Sequence, residues 1–151
     1  MFKKLCFIFL FIYPLTGCDP IIDKLKEKVD SQYLETSDAQ NNKAHLLFLA
    51  VKAKDRANFL ALVEPMVRED LYKSPNIFLD MTRYIPEGDF AAPEIMNIEK
   101  REHQKYGKLT EVIYRYAFEQ NNIVLNVIFS GHDGTDRVIG FYIHSVAVQQ
   151  K

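Results

Sequence analysis

Residues 109–148 read LTEVIYRYAFEQNNIVLNVIFSGHDGTDRVIGFYIHSVAV, and their alternation decides the fold. Val112, Tyr114, Tyr116 and Phe118 fall on one side of an extended chain, because successive side chains of a strand point to opposite faces. Ile123, Leu125, Val127 and Phe129 repeat the pattern after Gln120-Asn121-Asn122. Ile139, Phe141, Ile143 and Ser145 repeat it again after Gly131–Asp136. Both breaks are rich in residues that turn a chain, and the Asp133-Gly134 pair is a hairpin signal. We read strands over 109–119, 122–130 and 137–148. A fourth, polar strand is predicted over 95–106 (IMNIEKREHQKY), ended by Gly107.

Upstream of Pro86-Glu87-Gly88-Asp89 the period is helical. Thr36, Ser37 and Asp38 are N-cap residues ahead of a helix over about 39–53, where Leu47, Ala50, Val51 and Lys54 share a stripe widened by Leu46 and Leu49. Lys54-Asp55 is a brief turn, and Asp55 caps a second helix that runs through Phe59, Leu60 and Val63 and is bounded by Pro65. The segment VREDLY adds a turn or two. Ser74-Pro75 starts a short helix, NIFLDMTRY, whose Ile77, Phe78, Met81 and Tyr84 match helical spacing. Helices followed by strands with short turns give the class α+β. The expected architecture is three to four N-terminal helices packed on one face of a curved, four-stranded antiparallel sheet.

The composition agrees with one folded domain: 151 residues, 48% apolar, 13% aromatic and 26% charged. A net charge of −1 supplies no general attraction to nucleic acid. Both cysteines, Cys6 and Cys18, precede the domain, which excludes a disulfide scaffold or a cysteine zinc site in its folded part. The sequence contains no Gly-rich phosphate loop and no Gly-x-Ser-x-Gly, so no cofactor is expected.

The first residues, MFKKLCFIFLFIYPLTGC, carry a basic start at Lys3 and Lys4, an uncharged apolar run from Leu5 to Tyr13, and small residues at Thr16 and Gly17. That is the layout of an export signal, too short to span a bilayer, which needs about 20 residues. Leu15-Thr16-Gly17-Cys18 resembles the bacterial lipobox. The resemblance implies a diacylglycerol on the Cys18 thiol, cleavage just before it, and a new N-terminus at Cys18. Asp19 resembles the residue that keeps enteric lipoproteins in the inner membrane; the outer membrane is the alternative. The implied localisation is the bacterial cell membrane, with a lipid-anchored chain facing the periplasm. Loss of Lys3 and Lys4 takes the 19 basic residues to 17 against 20 acidic, a net of −3. The division expected is a signal peptide over 1–17, a lipidated tether over 18–38 and a globular domain over 39–151. Residues 19–38 read as a solvated tether, or as a short amphipathic helix through Ile22, Leu25, Val29 and Tyr33. Extended, they would reach about 70 Å.

The paired helices joined at Ala53-Lys54-Asp55, the strand VIYRYAFEQ and the closing DRVIGFYIHS resemble the nuclear-transport-factor-2-like superfamily, with a cystatin-like arrangement as the competitor. The likeness covers about residues 39–148. It implies a sheet wrapped around helices as a cone, an Asp, His or Tyr inside it where the member is an enzyme, and pairing of two copies through their sheets.

Candidate chemistry is sparse. Asp80, Tyr84, His103, Tyr114, Tyr116, Tyr142 and His144 are the groups able to act as acid or base in a cone. Arg115, Asn126, Tyr142 and His144 form a candidate contact patch on the face opposite Phe141 and Ile143; His144 otherwise reads as a half-exposed strand histidine. His132, Asp133, Thr135 and Asp136 share a turn but lack the spacing of a calcium loop, and no metal site is assigned. Lys100, Arg101, Lys105 and Lys108, interrupted by Glu99 and Glu102, read as a charged edge strand. Ile113, Ala117, Val124, Ile128 and Val138 are expected on the second face as an apolar patch for a partner or a second copy. The function expected is a non-catalytic binding or accessory module of the envelope, for a protein or a small ligand. An inhibitor of a toxin or lytic enzyme, and an enzyme on a small apolar substrate, are the alternatives.

Overall fold

The structure, a computed structural model, describes residues 35–147. All of them belong to the compact unit Leu34–Lys151. The lipobox, Cys18, Asp19 and the segment 19–34 lie outside the described residues.

Four helices precede four strands: α1 (Asp38–Lys52), α2 (Arg56–Leu62), α3 (Pro65–Lys73), α4 (Asn76–Tyr84), then β1 (Glu94–His103), β2 (Gly107–Ala117), β3 (Asn121–Ser130) and β4 (Val138–Ala147). The strands form an antiparallel meander in the order β1-β2-β3-β4, so the fold is α+β with the helices N-terminal to the sheet.

Local chemistry explains each helix end. Ser37 Oγ accepts from the Gln40 N–H (3.1 Å), and Gln40 Oε1 accepts from the Ser37 N–H (3.1 Å), a complete capping box. The same two side chains reach across the fold: Ser37 Oγ donates to the Gly134 carbonyl (2.6 Å) and Gln40 Nε2 to the Thr135 carbonyl (3.1 Å). Ser37 and Asp38 therefore belong to the domain as the cap and first residue of α1, rather than to a tether. Gly134 has φ +80°, and a Cβ there would stand 3.1 Å from the Ser37 side chain, so glycine serves both the turn and the close approach. At its other end α1 closes with the Lys54 N–H on the Val51 carbonyl and the Asp55 N–H on the Ala50 carbonyl. Lys54 occupies the left-handed position (φ +57°) that glycine usually fills. Asp55 caps α2 by accepting from the Asn58 N–H (3.0 Å). Pro65, expected only to bound α2, starts α3, a nine-residue helix rather than a turn or two. A fixed φ and a missing N–H cost nothing at a first helical position.

The core lies between the helices and one face of the sheet. Phe48 of α1 stacks on Tyr116 of β2 with ring centroids 3.6 Å apart, and Phe59 of α2 meets Phe78 of α4 (5.4 Å) and Phe141 of β4 (4.8 Å). Val112, Tyr114, Tyr116, Ile123, Leu125, Val127 and Phe129 are all buried on this face, as their alternation predicts. On α4, Phe78 and Met81 are buried, whereas Ile77 and Tyr84 are exposed.

β4 departs from strict alternation. The register shifts between Ile128 and Phe129: Phe129 faces Val138, while Ile128 faces Gly140. The extra residue, Ile139, is a bulge, which puts Val138 on the core face together with Phe141 and Ile143. Val138, expected on the second face, is buried in the core for this reason. Ile113, Ala117, Val124 and Ile128 do lie on the second face, but half-buried rather than as an open apolar patch. A parallel bridge from Val63 to Val138, with the Glu64 N–H on the Val138 carbonyl (2.9 Å), ties the end of α2 to the start of β4.

Candidate functional site

The bare face of the sheet carries the sequence-predicted patch in two rows. Glu94, Arg115, Val124 and His144 are paired in register across the four strands, and Ile113, Asn126 and Tyr142 form the next row. Arg115 is bound to Glu94. Asn126 donates to Glu111, which also takes the guanidinium of Arg101. Asn126 and Tyr142 stand directly opposite each other, but Arg115 and His144 are two strands apart with Val124 between them, about 10 Å by strand spacing. The four residues share a face without converging on a point.

One row further, at the β4 end of the sheet, lies a cleft of about 660 Å³ lined from both faces, by Gly140 and Ile128 of the bare face and by Phe141 of the core face. Its floor is Ile128, Gly140 and Leu109. Leu109 is only 5% exposed although its register puts it on the bare face. Gly140 has no backbone need to be glycine, since its φ is not positive; its reason is space. A Cβ there would stand 3.2 Å from Ile128 Cδ1, at the bottom of the cleft. One wall is α3, through Met66, Val67 and Leu71, extended by Ile77 of α4 and by Phe141. The other is the β1–β2 hairpin, through Arg101, His103 and Tyr106, with Gly107 (φ +71°) turning the hairpin. Tyr142 stands at the rim and is 63% exposed.

The polar groups around this cleft are mostly engaged. Arg101 is paired with Glu111 and Asp70 with Lys73 (3.7 Å). His103 Nδ1 faces the Lys105 N–H (3.1 Å), and its ring stacks on Tyr106 with centroids 4.9 Å apart. His103 and Tyr142 are the two candidates that the fold brings to one cavity; His144, Arg115 and Asn126 lie outside it. The arrangement is suited to enclosing an apolar body, with charge only at its margin.

The remaining candidates lie apart from this cleft. Asp80 pairs with Arg83 on an exposed turn of α4 (2.8 Å). Tyr114 Oη donates to Asn41 Oδ1 (3.0 Å) at the helix–sheet contact. Tyr116 is fully buried, and its hydroxyl has no partner among the described residues. Burial pushes both phenols above the usual tyrosine range, and Tyr114 raises Tyr116 further. In the β3–β4 turn, Asp133 Oδ1 accepts from the Thr135 N–H, Asp136 pairs with Lys43 (3.1 Å), and His132 Nε2 lies 3.0 Å from the Leu109 carbonyl. Among the described residues no group of three or more His, Cys, Asp or Glu side chains is placed to hold a metal ion, and no helix is long and apolar enough to cross a membrane.

Sequence reading missed Gly140, Leu109 and Met66. Gly140 had a legible signal: an isolated glycine inside a strand pattern marks a close approach. Leu109 and Met66 had none, because their place depends on how a hairpin and a helix come together around the sheet. No family model, curated protein or solved structure matches the chain.

Proposed function

We propose that this protein is a lipid-anchored, non-catalytic binding module of the bacterial cell envelope, and that its cleft holds a small apolar ligand. The cleft carries the reading: about 660 Å³, floored by Ile128, Leu109 and the bare backbone of Gly140, with apolar side chains on the α3 wall. That volume suits a small molecule, and apolar walls with few polar groups are what such sites use. The anchor rests on Leu15-Thr16-Gly17-Cys18 and the leader before it. Two or three acyl chains at Cys18 hold a chain to a bilayer where one would be marginal. Helices followed by an antiparallel meander also support the likeness to the nuclear-transport-factor-2-like superfamily.

The cleft is tested with a fluorescent fatty acid titrated into the full chain. Saturable binding that falls at least tenfold in Gly140→Phe, with the melting transition retained, supports the reading. Equal binding by wild type and variant, or no binding, removes it. The anchor is tested separately: Cys18→Ser releases the protein from salt-washed membranes if the thiol bears the lipid, and a variant that still pellets refutes the lipid.

A further inference from the structure

The two edges of the sheet are built in opposite ways. β1, at one edge, is guarded: Glu94, Glu99, Lys100, Arg101 and Glu102 occupy half of its ten positions, and the register shift at Met96 interrupts it. Charges and bulges are the devices that keep an edge from pairing with another chain. β4, at the other edge, holds no Asp, Glu, Lys or Arg along Val138–Ala147. Its bulge is at Ile139, next to the one place, Val138, where Val63 already covers the edge. From Phe141 to Ala147 no described residue pairs with the outer edge. Beyond Ile143 every residue of the strand is exposed on both faces, so this end extends past the helices.

We propose that Phe141–Ala147 pairs antiparallel with the same stretch of a second copy, across a two-fold axis at His144, to make one continuous eight-stranded sheet. The charge pattern selects a second copy as the occupant. β1 meeting its own copy would bring like charges together, whereas β4 meeting its own copy brings none. The register follows from two conditions. A two-fold axis perpendicular to the sheet keeps the helices of both copies on one side, so paired residues must share a face. Setting the two exposed apolar side chains of the free stretch, Tyr142 and Val146, opposite each other then centres the pairing on His144. Tyr142 of each copy stands opposite Val146 of the other, an aromatic–β-branched pair made twice. Tyr142 and Val146 are exposed at 63% and 42%, and this contact would cover both.

The test is the mass of the full chain in mild detergent, measured by light scattering with the detergent subtracted. Wild type is expected as a dimer. His144→Lys and His144→Glu each place two like charges across the axis, at an exposed site where folding is not at risk, and each is expected as a monomer. Mixing the two variants is expected to restore a mixed dimer. A monomeric wild type overturns the proposal. Variants that dimerise as wild type does would assign the contact to another surface, and a mixture that stays monomeric would reject the axis at His144.

Discussion

On the helix side of β2, Tyr116 is fully buried and stacked on Phe48; one residue away, on the other side of the same strand, Arg115 is paired with Glu94 within reach of water. The first face is held by apolar area removed from solvent, which salt does not screen as it screens charges. The second is held by backbone ladders and by ion pairs such as Arg115–Glu94, which are worth little when exposed and less as salt rises. The difference teaches where stability and binding are separated in this molecule. The helix-covered face has no slack for chemistry, while the bare face can give up side-chain contacts to a ligand at small cost to the fold.

Substitutions on the two faces sharpen or break that contrast. Phe48→Ala is expected to be the most damaging, at about 3–5 kcal/mol by chemical denaturation, because it opens a cavity against Tyr116 and Phe90. A loss near 1 kcal/mol would mean that the helix face is loosely packed. Ser37→Ala removes the α1 cap and the bond to the Gly134 carbonyl together, for an expected loss of about 1–2 kcal/mol in the same measurement.

Tyr116→Phe tests the helix face with the opposite sign. It removes a buried hydroxyl that has no partner, so a gain of about 1 kcal/mol is expected at neutral pH. The pH dependence follows from the same burial. The folded protein holds the Tyr116 phenol above its unfolded value of about 10, so the neutral form is favoured by folding. That contribution is intact below about pH 10 and is lost as pH rises above it. Alkaline titration of the melting temperature should therefore fall more gently in Tyr116→Phe than in wild type; identical curves would show that this phenol does not drive alkaline unfolding. Arg115→Ala, on the bare face, is expected to change stability by less than about 0.5 kcal/mol. A larger loss would show that the bare face shares in holding the fold.

The strands were legible because β2 and β3 obey a strict period of two, with every second residue apolar and large. β4 was legible only in part. A single extra residue, Ile139, moved Val138 from the bare face into the core; its one sign in the sequence is Gly140, since a glycine inside a strand marks either a bulge or a close approach. The helix caps at Ser37 and Asp55 were visible as side-chain chemistry next to an apolar stripe, whereas Pro65 read as a stop although proline equally starts a helix. The contact patch was legible as a face but not as a point. Arg115, Asn126, Tyr142 and His144 do share a face, but parity says nothing about which neighbours claim each group, and Glu94 and Glu111 claim two of them. The cleft needed α3 and the β1–β2 hairpin to be placed against the same strands, and that information is tertiary.

The clasp between Ser37 and the Gly134 carbonyl joins groups 97 residues apart. During synthesis the four helices leave the ribosome before any strand exists, with Phe48 and Phe59 bare and the α1 cap lacking its distant partners. Contacts of such long separation are slow to form, and exposed apolar surface is prone to stick in the meantime. A nascent chain halted before residue 134 is therefore a sticky intermediate, and the strands that follow the helices are the ones that seal it.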